Sequence, residues 1–396
     1  MRIAYFANYQ GNDLIAQRGI RRNISLAGSQ KIRLIGSMLA DMGHEVTIFS
    51  TGSVAEGRLR VHRSFSACLD SCAKVAVLYS TALDAPIIGQ VLSSQSLWRV
   101  LAAEHAKQRF DLVLLYNCSV AETYAALRTK YRFNLPMILE YEDDVNFMQD
   151  GSRNWRNGIW TLLRDLLQPR IGGIVAATPE LMAQFRHVPG MLLRGALDSE
   201  FVARFSCEKP NDPNSMDVVY SGSVIEAKGV DRLCAAWRVL GLGSAKLHVV
   251  GDGPALRHLR EEFGAGDGIH FHGYVERPRL LEILALSKLC INPNRVAAAV
   301  SGNVFPFKIV EYLGAGRPVV STPLGSLEPE IAQAILTTRD DSIESLAAGI
   351  NCMISGYARW AAKARTAQES IRSQYGPGPM KRRLAELISE VAKPVG

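Results

Sequence analysis

The chain has 396 residues, too many for one ordinary core and suited to two domains. Hydrophobic residues make up 47%, charged ones 21% and aromatic ones 8%, which excludes wholesale disorder, and no run approaches the roughly 20 uncharged apolar residues of a membrane-spanning helix. The formal net charge of +7 is densest at Arg18, Arg21, Arg22, Lys31 and Arg33, a cluster that reads as a partner for ligand phosphates or an anionic membrane surface, or as a plain solvated face.

In chain order, Arg2–Ala7 reads as a buried strand and Ile32, Ile35, Met38, Leu39 and Met42 follow a helical period. Gly43 closes that helix in a left-handed cap, and His44–Phe49 is the next strand, so a βαβ unit opens the chain. The stretch from Cys68 to Trp98 holds Asp84 and Pro86 and cannot span a bilayer; it reads either as an interfacial segment or as a core helix. Strands at Asp111–Tyr116, Met137–Tyr141 and Gly173–Ala177 then alternate with helical stretches such as Val120–Lys130, which predicts a doubly wound parallel sheet.

The polar segment 206–217, SCEKPNDPNSMD, has the composition of a linker. Beyond it the alternation restarts, with strands at Val218–Ser221, Lys246–Val250, Ile269–Phe271, Leu289–Ile291 and Pro318–Ser321, and helices near Gly229–Val239 and Pro254–Phe263. A last helix, Met380–Val391, is expected after the breaker Gly376-Pro377-Gly378-Pro379. The seven cysteines contain no CxxC pair and the eight histidines no zinc spacing, so neither a disulfide framework nor a metal site is expected; His270 and His272 share one strand face and are read as packing residues. The N-terminus lacks a signal-peptide pattern, and a cytoplasmic location is expected.

Three segments carry chemistry. Gly302 to Val320 reads as loop, short helix and strand: Pro306 suits the first helical position, and the free backbone donors of Gly302, Asn303, Val304 and Phe305 with Lys308 are suited to a diphosphate. Glu311 lies on the same helix face, where its carboxylate can accept from a ribose diol or be an ordinary surface group. In Tyr220-Ser221-Gly222-Ser223 through Lys228-Gly229, a lysine stands at a strand's carboxyl end, placed to neutralise a leaving phosphate, or simply exposed in a loop. Gly251-Asp252-Gly253-Pro254 repeats the design, with glycines that allow close approach to a flat ligand or form a common turn. At the end of another strand, Glu142 and Asp143 are candidates to orient an acceptor hydroxyl, the alternative being a helix cap.

Together these segments resemble the retaining GT-B glycosyltransferases of family 4, over most of residues 218–325 and more loosely over 1–200. Gly222, Lys228 and Gly229 match the pattern G-R-x-x-x-x-K-G, with Ser223 where the family has arginine; Glu311 matches the second glutamate of the E-x7-E signature, with Asn303 in place of the first. The resemblance makes Tyr274 and Val275 base-side residues, gives the Gly28 amide to the diphosphate, and matches Leu192–Phe201 to the segment before the interdomain linker.

What the resemblance implies is an α/β, GT-B chain of two Rossmann-like doubly wound domains facing each other across a cleft: residues 1–200 on the acceptor side, 201–376 binding the nucleotide-sugar, and 377–396 a helix returning to the first domain. The expected activity is retaining transfer of a hexosyl group from an NDP-sugar to a saccharide or lipid-linked acceptor, in bacterial surface polysaccharide or glycolipid assembly, without metal or other cofactor. Lys228, Glu311, Glu142 and Asp143 are the catalytic candidates; Gly28, Gly222, Ser223, Gly251, Asp252, Tyr274, Val275, Gly302 to Phe305 and Lys308 complete the donor site. A peripheral membrane contact through the basic first domain is expected, and no nucleic acid partner. Two other readings remain: an inactive NDP-sugar-binding partner subunit, and a sugar-nucleotide epimerase on the same fold. A dinucleotide oxidoreductase fits least, since no GxGxxG follows the first strand.

Overall fold

A computed structural model of the chain describes residues 1–19, 26–53, 59–70, 72–85, 88–142, 155–206, 216–296, 306–324 and 327–393. It separates into two compact units, one formed by Met1–Gly195 with Met380–Gly396 and the other by Ala196–Pro379.

The first unit contains strands β1 (Arg2–Phe6), β2 (Glu45–Ser50), β3 (Val61–His62), β4 (Phe65–Leu69), β5 (Cys72–Tyr79), β6 (Ala82–Leu83), β7 (Leu112–Tyr116), β8 (Met137–Tyr141), β9 (Gly173–Ala176) and β10 (Gly190–Leu192). Eight of them form one sheet in the order β10-β9-β8-β7-β1-β2-β5-β4, parallel except for the antiparallel edge pair β4–β5, while β3 and β6 pair separately. Burial follows from the pattern. Ile3, Ala4, Tyr5 and Phe6 are wholly buried, as a strand covered by helices on both faces requires. Gly43, at φ 84°, ends the helix Leu26–Asp41, whose Ile32 and Ile35 lie on the sheet.

The second unit is a six-stranded parallel sheet of β11 (Val218–Ser221), β12 (Leu247–Val250), β13 (Ile269–Gly273), β14 (Leu289–Asn292), β15 (Val319–Ser321) and β16 (Ile335–Thr337). Its order, β13-β12-β11-β14-β15-β16, reverses direction between β11 and β14, the switch point at which such sheets open a crevice beyond their strand ends. The helix Lys308–Gly314 packs Ile309, Val310, Tyr312 and Leu313 into a core shared with Val219, Cys290 and Val319.

Three expectations need correction. The stretch Cys68–Trp98 is not one core helix: alternate burial of Val75, Val77 and Tyr79 makes a strand, and the helix spans Ile88–Lys107. The boundary expected at 200/201 moves to Gly195/Ala196, ahead of the segment 206–217 read as a linker, because Leu197, Phe201 and Phe205 are part of the second core; residues 207–215 lie outside the described ones. The final helix begins at Pro377, not after the breaker, since a first turn has no use for the proline N–H; Gly376 ends the helix before it.

Candidate functional site

The carboxyl ends of β11, β12 and β13 run into Gly222, Gly251 and Gly273, at φ 145°, 134° and 71°. The Gly222 amide donates to Val250 at 2.9 Å and that of Gly251 to Gly273 at 2.8 Å, knitting the three strand ends together. A Cβ on Gly251 would fall 1.9 Å from the Gly222 carbonyl oxygen, and one on Gly253 2.3 Å from that of Val224. These glycines therefore let one turn lie directly against the next. Asp252 is spent on the same turn, accepting from its neighbour Gly253 at 2.7 Å. Ser223 is exposed, and its carbonyl accepts from the Tyr220 hydroxyl at 2.7 Å.

Against this scaffold stand two lysines. Lys308 opens its helix with the side chain turned over Tyr220, Nζ lying 4.2 Å from the ring centroid. That nitrogen is buried and has no hydrogen-bond partner among the described residues. It faces the glycine turn, within 3.6 Å of where a Gly222 Cβ would sit. Burial pushes its pKa well below the usual lysine value, and the charge of Lys228 pushes the same way. Lys228 ends a short turn, Glu226–Lys228, closed by Gly229 at φ 63°; it is half-buried, and burial lowers its pKa too. Among the described residues no carboxylate pairs with either lysine. Burial and the nearness of the two lysines disfavour their charged forms, and an anion placed between them would reverse that by favouring the ammonium of each.

The helix behind this pair starts at Lys308, two residues later than Pro306, whose carbonyl accepts from Ile309 at 2.9 Å. Gly302, Asn303, Val304 and Phe305 lie outside the described residues. Glu311 is not an ordinary surface carboxylate. Its Oε1 accepts from Arg277 at 2.7 Å, and Arg277 also reaches Asp198 at 2.9 Å. Burial alone would lower the Arg277 pKa, but Glu311 and Asp198 more than offset it and raise it. Arg277 escaped the sequence reading because its partners are 34 and 79 residues away; no local pattern announces such a bridge. Tyr274 is 52% exposed beyond β13, with its ring free to take a stacked ligand, while Val275 packs onto the second core.

Two further residues were missed. At the end of β14, Asn292 and Asn294 are buried, and among the described residues the Oδ1 of each has no hydrogen-bond partner. In sequence, Asn-Pro-Asn reads only as a turn.

Glu142 and Gly28 belong to the first unit; Asp143 lies outside the described residues. Glu142 is paired with Lys31 at 2.6 Å, and its amide donates to Asn117 Oδ1 at 2.7 Å. Lys31 also donates to the Leu193 carbonyl, which ties the helix Leu26–Asp41 to the segment after β10. Gly28 sits in the first turn of that helix. The two histidines on β13 meet a third: His248 Nδ1 lies 3.0 Å from His272 Nε2, and its ring is 5.7 Å from that of His270. Among the described residues no group of His, Cys, Asp or Glu is placed to hold a metal, and no helix is long and apolar enough to cross a membrane.

Residues 215–355 match the family model for glycosyl transferases group 1. No curated protein matches the chain. Among solved structures, a sucrose-phosphate synthase from Thermosynechococcus elongatus is similar at 16% identity over 98% of each chain, with a TM-score of 0.72. HepE of Anabaena, solved with UDP-glucose, is 15% identical over 98% of this chain and 99% of its own, at a TM-score of 0.68. A glycosyltransferase from Rickettsia africae gives 15%, 99% of each chain and 0.69. Over its whole length the chain has the GT-B glycosyltransferase fold, and its second unit carries the region that matches glycosyl transferases group 1.

Proposed function

We propose that the chain is a retaining glycosyltransferase moving a hexosyl group from an NDP-sugar to a saccharide or lipid-linked acceptor in surface polysaccharide or glycolipid assembly. The observation that carries this reading is Lys308: a buried amine without a hydrogen-bond partner among the described residues, facing the Gly222 turn, with Lys228 near enough to lower its pKa. A diphosphate supplies the counter-charge both lysines lack, and they stabilise it as it leaves, so the charge neutralisation is assigned to side chains rather than to a metal. In the transfer, the bond from the anomeric carbon to the diphosphate oxygen breaks and one to the acceptor oxygen forms on the same face. The acceptor's proton passes to the departing phosphate. Arg277 holds one oxygen of Glu311, which leaves the other to accept from the ribose. Tyr274 offers its ring to the base, and Glu142, fixed by Lys31, orients the acceptor from the first unit. HepE, solved with UDP-glucose on the same fold, supports a sugar nucleotide as donor.

The test begins with thermal shifts against UDP-, GDP- and ADP-sugars; ligand at 100 times Kd stabilises the native state by about 2.7 kcal/mol. With the donor so identified, Lys228→Ala is expected to lower kcat for transfer by about 10²–10³ while circular dichroism stays native. Near-normal turnover by this variant contradicts the assignment. Conversion of the donor without an acceptor would make the chain an epimerase, and binding without transfer to any acceptor would make it a donor-binding subunit.

A further inference from the structure

The carboxyl edge of the second sheet holds a second set of unsatisfied groups, on β14, across the switch point from the lysines. Ser321 Oγ donates to the Thr322 carbonyl at 2.8 Å, so it must accept from Asn292 Nδ2, 2.9 Å away. That fixes the Asn292 amide and leaves Oδ1 without a donor in a side chain of 0% exposure. Asn294, two residues on, is 3% exposed, and among the described residues neither end of its amide has a hydrogen bond. Its backbone is clamped: Thr322 Oγ1 donates to the Asn294 carbonyl at 2.6 Å, and the Thr322 amide donates to that of Asn292 at 3.0 Å. Leaving buried amide oxygens unpaired costs about 1–3 kcal/mol each, and here two lie two residues apart at one strand end.

Their position says what they await. Strands in a sheet lie about 4.8 Å apart. The lysine pair is at the end of β11, and the exposed Tyr274 follows β13, two strands away on one side. β14 is the neighbour on the other side. The contact is direct, because Gly229, the residue after Lys228, packs against Pro293, a Cβ there falling 2.0 Å from the Pro293 oxygen. The Arg295 amide donates to Ala227 at 3.0 Å across the same junction. A sugar nucleotide laid along this edge with its diphosphate on the lysines and its base toward β13 brings its sugar to β14. We propose that Asn294, backed by Asn292, reads the hydroxyl groups of the transferred sugar, which selects a neutral polyhydroxylated hexosyl group. Sugar hydroxyls are donors and acceptors at once and match both ends of the amide. This inference rests on the donor reading given under Proposed function.

The experiment compares each nucleoside diphosphate with its own sugar conjugate by isothermal titration, using UDP and UDP-glucose, GDP and GDP-mannose, or ADP and ADP-glucose, whichever pair stabilises the unaltered protein. Asn294→Leu keeps the heavy-atom count and the branching at Cγ, in a somewhat larger side chain, and removes both hydrogen-bonding ends. It is expected to weaken the sugar conjugate about 10-fold or more while the diphosphate alone changes by less than about 2-fold. Equal weakening of the two, or no change in either, overturns the proposal. Should Asn294→Leu lose its native circular dichroism, Asn294→Ser is read by the same ratio. If the unaltered protein binds none of the diphosphates, the donor reading itself fails and takes this inference with it, a result visible before any variant is made.

Discussion

Glu140, near the end of β8, accepts from the Tyr5 hydroxyl at one oxygen while the other has no hydrogen-bond partner among the described residues, in a side chain with 0% exposure. Burial raises its pKa to about 8, with the charge of Lys31 opposing and that of Glu142 adding to the rise. Between its ordinary value of 4.5 and 8, the folded protein keeps a proton that the unfolded chain has released. Stability therefore falls as pH rises through that window. Glu140→Gln removes the titration: the melting temperature of the variant relative to the parent should climb between pH 5 and pH 8. A difference that stays flat across that range would show that Glu140 ionises freely. The residues legible in the sequence, Lys228, Lys308 and Glu311, are those whose neighbours along the chain already form a pattern. Glu140, Arg277 and Asn294 were not, because what distinguishes them is a contact, or a missing contact, made across the fold: Tyr5 is 135 residues from Glu140.

At the scale of elements, the glycines at the two ends of the helix Val230–Leu240 show why a glycine in one place is not a glycine in another. Gly229 has φ 63° and a backbone oxygen 2.0 Å from where a Cβ would be, whereas Gly241 has φ 55° and nothing within 4 Å. Gly229→Ala should cost about 3 kcal/mol or more, from left-handed strain plus a clash with backbone that cannot yield. Gly241→Ala, strained but unobstructed, should cost about 1 kcal/mol. Urea unfolding of the two distinguishes them, and equal losses would mean that the Gly229–Pro293 junction can open. The elements readable from the sequence were those with a period of their own, such as β1, β8, β11 and the helix Leu26–Asp41. Strands β3 and β6 have two residues each, and β10 and β16 three; they exist only because a neighbouring backbone pairs with them. Their residues carry no pattern long enough to read. The segment Cys72–Tyr79 failed for another reason: it is a half-exposed strand next to the edge strand β4, and its apolar content passes for a helix stripe.

In the whole molecule, the first unit is assembled from two stretches of chain, since the helix Pro377–Val391 packs there after the entire second unit has intervened. Met380, Leu384, Leu387 and Ile388 are buried, Val391 and Leu387 lie against Gly173 at the start of β9, and Lys381 pairs with Asp41 at 2.7 Å. Truncation after Pro379 should lower the denaturation midpoint of the first unit and leave that of the second nearly unchanged, as hydrogen exchange resolved by unit can report; protection lost equally from both would contradict the division. Translation gives the same feature a temporal meaning. At about 5–20 residues per second, synthesis of the second unit takes about 10 to 40 s, and throughout that interval a ribosome-bound chain carries the β9 surface without its covering helix. The second unit can thus mature while the first is still incomplete, and a chain stalled within it leaves that apolar surface bare to chaperones and to other nascent chains.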